Sequence, residues 1–313
     1  MKTEATPPGA GGVEGERMPR ARVVLLHGVR TSATMWRNQL APLRAAGIEV
    51  HPVDLPAHGT HLGEPFSVDA AFAAVDAALN PEPAAADADG PASRPTPRPV
   101  PRLLVGLSLG GYLAIEFAAT RPGRLDGLIA ASCSTRPRGV ALDGYLRLAA
   151  VIRRLPDRGR ALNDAMARLV LSRQAVDDVV AGGVALDVMA DAVGAVGEFD
   201  VERSLGRIDV PVWFVNGRFD HFRLEERRML RAARDARLVV VPGATHLVSL
   251  GRPEHFTAAV LGAVAELELR AARAAGRGAR PSVGADAVVD AGIAAPAEAA
   301  EVAAGVAADE DAA

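Results

Sequence analysis

The stretch Leu103–Gly111, with the sequence LLVGLSLGG, decides the fold of this chain. Its apolar beginning is typical of a buried strand, its end has the pattern Gly-x-Ser-x-Gly, and Tyr112–Thr120 behind it is predicted to form a helix. A serine on such a sharp strand-to-helix turn points its hydroxyl out of the edge of a sheet. Glycines on both sides keep side chains out of the tight crossing. The stretch therefore predicts that Ser108 is a nucleophile, and it favours hydrolysis of an acyl bond.

The rest of the chain alternates between apolar runs and amphipathic segments. Besides the apolar part of the opening stretch, the predicted strands cover residues 21–26, 48–55, 125–132, 210–216 and 237–241. The predicted helices between and after them cover residues 34–46, 68–79, 224–233 and 254–275. This alternation predicts an α/β fold with a mostly parallel, doubly wound sheet of about six strands.

Residues 137–203 have a different character, because their apolar residues recur at helical spacing and no strand pattern interrupts them. We predict that they form a helical cap, inserted between two strands and lying over the carboxyl ends of the sheet, where ligands bind in open α/β folds. The α/β core would then consist of residues 21–136 and 204–275.

Three further segments are predicted to lie outside the packed core. Residues 1–20 and 276–313 are rich in small and polar residues and are predicted to be disordered tails. Residues 80–101 are rich in Pro and Ala and are predicted to form a solvated loop. This loop is either an inert insertion or a proline-rich docking segment. The absence of a repeated PxxP register favours the inert insertion.

The composition limits the class of protein. With 313 residues, 49% of them hydrophobic, the chain can bury a large core. A net charge of -3 gives no electrostatic reason to expect a nucleic-acid partner.

Cys133 is the single cysteine, which excludes an intrachain disulfide and fits a cytoplasmic location. We see no secretory signal and no apolar run of about 18 residues, so we expect a soluble protein that acts on a small molecule without a membrane. The oligomeric state stays open.

A serine hydroxyl becomes an effective nucleophile only when a neighbouring base accepts its proton. His246 is the best candidate among the seven histidines, because it lies in a turn just after the predicted strand 237–241. Asp220 follows the predicted strand 210–216 in the same way and is the candidate that orients the base. The carboxyl ends of parallel strands meet at one edge of a sheet. Both side chains are therefore predicted to reach Ser108 at that edge.

The tetrahedral intermediate of acyl transfer carries an oxyanion, which is stabilised by N–H donors held in place. The backbone N–H of Leu109, directly after the nucleophile, is one predicted donor. The second is predicted to be the backbone N–H of Val29, in the loop His27–Arg30 after the first strand. We predict that His27 orients this loop through hydrogen bonds.

These segments together resemble the α/β-hydrolase superfamily, in its compact form with a helical cap. The matching segments are HG at 27–28, DLPAHG at 54–59, GLSLGG at 106–111, GRFD at 217–220 and GATH at 243–246. The chain order Ser108, Asp220, His246 is also the order of this superfamily. The resemblance implies that these residues are nucleophile, acid and base, that the amides of Val29 and Leu109 bind the oxyanion, and that no cofactor or metal is needed.

The chain departs from the superfamily pattern in two places. Ala57 stands where the pattern Asp-x-Pro-Gly-His-Gly has its first glycine. No counterpart of the antiparallel edge strands that often open this fold is evident before Arg22. Neither departure affects the candidate catalytic residues.

Other interpretations of the same residues stay open. Ser108 could be an ordinary N-cap of the following helix, because serine is favoured there. His58 and His61 could form a metal site with Asp54, although the resemblance treats them as loop residues. Cys133 is interpreted as a small buried apolar residue rather than a catalytic thiol.

For the reaction, our first hypothesis is cleavage of a carboxylic ester or a related acyl substrate through an acyl-enzyme. The same triad could instead serve a C–C bond hydrolase, a lyase or a cofactor-free perhydrolase, since a fold does not determine a reaction. A ligand-binding protein that has lost turnover is a hypothesis from another class, and the intact Ser, Asp and His argue against it. The choice of substrate is expected to depend on residues 137–203.

Overall fold

The computed structural model describes residues 18–81 and 100–278 of the chain. Its six strands form one sheet in which every neighbouring pair is parallel. They are β1 (Arg22–Leu26), β2 (Glu49–Val53), β3 (Arg102–Leu107), β4 (Gly127–Ala131), β5 (Val212–Gly217) and β6 (Ala236–Val241). Their order across the sheet is β2-β1-β3-β4-β5-β6. The predicted α/β fold with a parallel sheet of about six strands is therefore confirmed, and the described residues contribute no antiparallel strand to it.

The chain order of the strands reverses between β1 and β3. From β1 the chain moves outward to β2 and then returns to β3 on the other side of β1. Loops that leave the carboxyl ends of two such strands diverge to opposite faces and open a crevice between them. The two loops here begin at His27 and Ser108, so the crevice lies between the predicted oxyanion loop and the predicted nucleophile.

Helices surround the sheet and connect its strands. They are α1 (Arg37–Ala45), α2 (Val68–Leu79), α3 (Leu109–Thr120), α4 (Val140–Arg153), α5 (Arg160–Val170), α6 (Arg173–Ala181), α7 (Met189–Gly197), α8 (Val201–Leu205), α9 (Glu226–Ala232), α10 (Val248–Gly251) and α11 (Pro253–Gly278). Short 3-10 helices occupy Ala33–Trp36, Gly59–His61 and His221–Arg223. None of the helices in the described ranges is both long and apolar enough to cross a membrane.

Two apolar clusters cover the two faces of the sheet. One contains Phe72 and Phe117, whose rings pack edge to face with centroids 5.5 Å apart. The other contains Trp36 and Phe256, whose ring centroids are 5.6 Å apart. Alternate residues of each central strand enter opposite clusters, which is why these strands appear in the sequence as continuous apolar runs.

The helical segment predicted at 137–203 contains α4 to α8, all of which lie between β4 and β5 in the chain. Helices α7 and α8 pack on α3, and α6 packs on the 3-10 helix Ala33–Trp36. The predicted boundary between residues 203 and 204 falls within α8. The predicted tails and the Pro-rich loop lie almost wholly outside the described residues.

Some boundaries differ from the predicted ones for physical reasons. Helix α3 starts at Leu109, directly after the serine, and not at Tyr112. Glycines at 110 and 111 weaken the helix signal in the sequence, but close packing requires small residues there. The predicted helix 34–46 begins as a 3-10 turn and becomes an α-helix at Arg37. The short helix α10 was not predicted.

Candidate active site

Ser108 occupies the turn between β3 and α3 in a conformation that is unusual for a residue with a side chain. Its φ is 55° and its ψ is -114°. The backbone is held there by two hydrogen bonds, from Ser108 N–H to the carbonyl of Ala131 (2.8 Å) and from Tyr112 N–H to the carbonyl of Ser108 (3.1 Å). The serine hydroxyl makes no capping hydrogen bond to the helix. A strained backbone combined with a side chain turned away from the helix is typical of a functional position.

Close backbone packing explains the two glycines of the motif. A Cβ on Gly106 would lie 2.2 Å from the carbonyl oxygen of Gly110, and a Cβ on Gly110 would lie 2.5 Å from the carbonyl oxygen of Leu26. Only glycine therefore allows β3, α3 and the end of β1 to approach this closely.

The structure brings the three residues predicted to form a triad together. Nε2 of His246 lies 3.0 Å from the hydroxyl oxygen of Ser108, and Nδ1 of the same ring lies 3.1 Å from Oδ1 of Asp220. An ionised carboxylate can only accept a hydrogen bond, so Nδ1 carries the proton. Nε2 is then the acceptor for the serine hydroxyl, which is the arrangement that general-base activation of a nucleophile requires.

Asp220 is buried but stays ionised. Burial acts to raise the pKa of its carboxyl, whereas the hydrogen bond and charge of His246 and the backbone N–H of Phe222 act to lower it. The lowering effects win, so the pKa lies below its usual range. The Phe222 N–H donates to Oδ1 at 2.8 Å, the same oxygen that accepts from His246.

The acid loop and the base loop are packed against each other. Phe219 N–H donates to the carbonyl of Ala244 (2.9 Å), and a Cβ on Gly217 would lie 2.3 Å from the carbonyl oxygen of Thr245. The imidazole of His246 also contacts two rings, those of His221 (centroids 5.1 Å apart) and Phe222 (4.7 Å apart). These contacts limit the rotation of His246, whose side chain is 21% exposed.

Both predicted oxyanion donors line the same cavity as the serine. Val29 and Leu109 form part of its wall next to Ser108. Within residues 18–81 and 100–278, neither backbone N–H donates to a protein acceptor. Two amides without a protein partner beside a nucleophile are suited to bind an oxyanion.

His27 has the hydrogen bonds expected of a residue that orients the oxyanion loop. Its Nε2 accepts from the N–H of Leu55 (3.0 Å), so the proton is on Nδ1, which donates to the carbonyl of Gly28 (2.8 Å). Burial is the main cause that lowers the pKa of His27, to about 3, so the ring is neutral. Thr31 adds a hydrogen bond from its hydroxyl to the same Gly28 carbonyl, at 2.7 Å.

The residues of the alternative metal site have other partners. Oδ1 of Asp54 accepts from Ala33 N–H (2.7 Å) and Oδ2 accepts from Thr60 N–H (3.0 Å). Nδ1 of His58 donates to the carbonyl of Pro56, and His61 pairs with Glu64. In the part of the chain that the structure describes, no group of three or more His, Cys, Asp or Glu side chains could hold a metal ion.

The cavity at Ser108 has a volume of about 340 Å³ and mainly apolar walls. The elbow and α3 contribute Leu109 and Tyr112, α7 contributes Val193 and Val196, and the region after Asp220 contributes Phe222 and Leu224. The two residues of α7 and the two residues after Asp220 were not predicted as site residues. They reach the cavity because segments far apart in the chain pack together, and no local sequence motif indicates such packing.

One cation, Arg136, lies in the wall of this cavity and is paired with acids. Its backbone N–H and its Nε both donate to the carboxylate of Glu225, each at 2.6 Å. Glu202 lies 3.9 Å from the same Nε and also pairs with Arg228 at 2.8 Å. The two arginines and the two glutamates balance in charge, so this cluster presents no unpaired cation to a ligand.

The α/β-hydrolase class is defined by a parallel α/β sheet with a serine, an acid and a histidine at one edge. Here the serine lies on the strand-to-helix turn after β3, and the acid and the histidine lie on the loops after β5 and β6. Residues 23–260 match the Alpha/beta hydrolase family, and the chain belongs to that family.

Individual relatives are similar over part or most of the chain. The biotin biosynthesis bifunctional protein BioHC of Cellvibrio japonicus (strain Ueda107) is 33% identical over 151 residues, which are 48% of this chain and only 25% of that protein. The enol-lactonase of Burkholderia xenovorans LB400 has a TM-score of 0.61 at 20% identity, over 80% of this chain and 94% of that one. A thermophilic esterase of Thermogutta terrifontis has a TM-score of 0.59 at 22% identity, over 80% and 91%. At such identities these two structures show a shared fold.

Proposed function

We propose that this protein is a serine hydrolase that cleaves a carboxylic ester or a related acyl substrate through an acyl-enzyme on Ser108. One observation carries the proposal: a single imidazole, that of His246, lies 3.0 Å from the serine oxygen and 3.1 Å from a carboxylate oxygen of Asp220. Family membership supports hydrolysis in general.

In the first half of the reaction, Ser108 Oγ attacks the carbonyl carbon of the substrate while Nε2 of His246 takes the hydroxyl proton. The carbonyl oxygen becomes an oxyanion and accepts hydrogen bonds from the N–H groups of Val29 and Leu109. When the tetrahedral intermediate collapses, the bond to the leaving group breaks. His246 gives its proton to the departing alkoxide, and an alcohol leaves.

In the second half, a water molecule takes the place of the alcohol. Nε2 of His246 accepts a proton from the water as its oxygen attacks the acyl carbon of the acyl-enzyme. The same two amides stabilise the second oxyanion. Collapse breaks the bond to Ser108 Oγ, which regains a proton from His246, and the carboxylic acid departs. Throughout, the negative charge of Asp220 stabilises the imidazolium.

The cavity supports a compact, uncharged and apolar acyl group. Its volume of about 340 Å³ lies near the lower end of the usual range for ligand sites, about 300–1,000 Å³. Its walls are mostly aliphatic and aromatic, and the charge of Arg136 is neutralised by Glu225. Because α7 supplies Val193 and Val196, we propose that residues 137–203 act as the cap that determines which acyl groups enter.

A fluorophosphonate probe and a panel of p-nitrophenyl esters of increasing acyl length test the proposal. We expect the wild-type protein to be labelled and to turn over short and medium esters, and Ser108→Ala to abolish both signals. The control Ser67→Thr replaces a distant serine by another residue that can cap α2, and it should keep both. A wild-type protein with neither labelling nor turnover would contradict the proposal. Labelling without ester turnover would point to the C–C hydrolase, lyase or perhydrolase alternatives.

A further inference from the structure

Two buried polar atoms that follow the neighbouring strands β4 and β5 lack hydrogen-bond partners among the described residues. They are Oδ2 of Asp220 and the hydroxyl oxygen of Ser132. The other carboxylate oxygen of Asp220 accepts from His246 and from the backbone of Phe222. A buried carboxylate oxygen without a donor is costly, so a nearby hydroxyl with no other partner is its natural complement.

Ser132 directly follows β4, at the same edge of the sheet from which Ser108 and Asp220 emerge. It is fully buried, and its φ of 52° places it in the left-handed region. Residues with a side chain adopt this conformation only when their surroundings enforce it. Glycine would adopt it more easily, so the backbone gives no reason for a serine at this position.

Buried hydrogen bonds enforce this backbone conformation. The N–H of Ser132 donates to the carbonyl of Val215 (3.2 Å) and to Oδ1 of Asn216 (3.1 Å). The side-chain amide of Asn216 in turn donates to the hydroxyl of Ser134 (3.0 Å) and to Glu226 (2.8 Å). This network holds the end of β4 against β5. It uses the backbone N–H of Ser132 and does not involve its hydroxyl.

We propose that Ser132 is a positioning residue whose hydroxyl donates to Oδ2 of Asp220 and so keeps Oδ1 facing His246. The carboxylate is then held by donors on both oxygens and cannot rotate about its Cβ–Cγ bond. The Ser132 hydroxyl also acts to lower the pKa of the Asp220 carboxyl, after His246 and Phe222. The inference rests on the proposed role of Asp220 and adds to it the residue that fixes the orientation of the acid.

The proposal predicts a specific kinetic pattern. Ser132 does not line the cavity at Ser108, so its loss should leave substrate binding unchanged. It should weaken the stabilisation of the imidazolium, which forms only during the reaction. We therefore expect kcat to fall about tenfold to a hundredfold with KM within about twofold of wild type, as for one lost hydrogen bond to a charged group.

Ser132→Gly is the main test, because glycine accepts the left-handed backbone and removes the hydroxyl together with the single carbon that carries it. We expect a thermal midpoint equal to or above that of wild type together with the fall in kcat. Ser132→Ala, which keeps Cβ and lacks the hydroxyl, should show the same fall in kcat. The matched control is Ser249→Ala. Ser249 is also fully buried, and its hydroxyl also has no partner within the described part of the chain, but it lies on α10 and outside the cavity wall. It should leave kcat unchanged.

A double-mutant cycle separates positioning from a general structural role. In an Asp220→Ala background, Ser132→Gly should cost nothing further, because the group that it positions is gone. An equal loss in both backgrounds would overturn the inference, as would unchanged kcat in Ser132→Gly.

A readout without substrate distinguishes failure of this inference from failure of the proposed function. The proton on Nδ1 of His246 should give a downfield ¹H NMR signal that shifts or broadens in Ser132→Gly and stays unchanged in Ser249→Ala. An unaltered signal in Ser132→Gly would overturn the positioning role even if the wild-type protein proved inactive on esters. If the wild-type protein showed neither labelling nor turnover while the signal in Ser132→Gly changed as expected, only the proposed reaction would be contradicted.

Discussion

The backbone N–H of Gly110 donates a hydrogen bond of 3.2 Å to the carbonyl oxygen of His27. This bond joins the first turn of α3 to the loop that leaves β1. The two candidate oxyanion donors, Leu109 and Val29, lie close to it in the chain, one on each side of the crevice. This backbone contact therefore helps to place both amides relative to Ser108, and only glycine at 110 permits it.

Gly110→Ala is expected to unfold or rearrange the elbow. The added Cβ would lie 2.5 Å from the carbonyl oxygen of Leu26, and backbone cannot give way cheaply at that distance. We expect a loss of several kcal/mol in the free energy of unfolding and loss of esterase activity, measured by urea denaturation and p-nitrophenyl ester turnover. The control is Gly262→Ala in α11, where a Cβ meets open space. It should be neutral or slightly stabilising. An active, stable Gly110→Ala would contradict the packing argument.

Asp220→Asn should reduce kcat by about 10³- to 10⁴-fold with little change in KM, since the amide favours the wrong tautomer of His246 and cannot stabilise its charged form. Steady-state kinetics with a short-chain ester measures this. The control is Asp209→Asn, which removes an exposed carboxylate that pairs with Arg234. It should behave as wild type. If Asp220→Asn kept more than about a tenth of wild-type kcat, another group would have to orient the base.

Val193→Phe should shorten the acyl chains that the cavity accepts. Val193 lies on α7 and forms part of the cavity wall, and a phenyl ring there would occupy part of the 340 Å³. We expect kcat/KM to fall about tenfold or more for medium-chain esters and to change little for acetate esters, as for steric exclusion from an apolar pocket. Val151→Phe on α4 is the control, since that side chain is 58% exposed and lies outside the wall. Equal losses for all chain lengths in Val193→Phe would argue against a cap that selects acyl groups.

Glu225→Gln should improve the turnover of esters that carry a carboxylate on the acyl chain. In the native protein the charge of Arg136 is neutralised mainly by Glu225. The substitution keeps an acceptor for the backbone N–H but frees the cation in the cavity wall. We expect the ratio of kcat/KM for a hemisuccinate ester to that for a butyrate ester to rise several-fold. Glu198→Gln, an exposed acid outside the cavity wall, should leave this ratio unchanged. A ratio unaffected by Glu225→Gln would show that the guanidinium does not reach the substrate.

Acidification below pH 6.5 should destabilise the protein through His27. Burial lowers the pKa of this ring from 6.5 in its ordinary state to about 3 in the folded state. Between these values the unfolded chain binds a proton that the folded chain does not. The contribution of His27 to the free energy of unfolding is therefore complete above pH 6.5. Below that pH the free energy of unfolding falls by about 1.4 kcal/mol per pH unit.

Urea denaturation between about pH 7.5 and 5 measures this slope, in a range where most carboxyl groups stay ionised. His27→Asn should be less stable at neutral pH and should show a flatter slope. His58, whose pKa burial also lowers, contributes in the same direction and keeps its part of the slope in this variant. The control His255→Gln changes an exposed ring on α11 and should retain the wild-type slope. Parallel slopes for wild type and His27→Asn would contradict the assignment.

Local patterns were sufficient for much of the fold and for the candidate residues. The apolar run and the paired glycines around Ser108 predict a strand-to-helix turn. Strand periodicity, helix periodicity and the small residues that close packing requires can each be recognised within a few residues. His246 and Asp220 could be selected because each follows a predicted strand, and parallel strands deliver their following loops to one edge. The side-chain distances that link the three residues come from the structure alone.

Contacts between segments that are far apart in the chain could not be recognised in the sequence in this way. The pairing of Arg136 with Glu225 joins residues 89 positions apart, and nothing near either residue indicates it. In the sequence analysis Ser132 was only the last residue of the predicted strand 125–132. Its left-handed backbone, and the lack of a partner for its hydroxyl among the residues that the structure describes, are seen only in the folded chain.

The amino-acid sequence by itself determined the order of the strands along the chain, the turn at Ser108 and the identity of its candidate partners. These depend on short-range rules of periodicity, glycine packing and chain direction. Only the tertiary structure decided which atoms meet, which wall of the cavity α7 supplies and which charges cancel. Such properties depend on side chains that are far apart in the chain and come into contact only when the packed sheet and helices exclude water from between them.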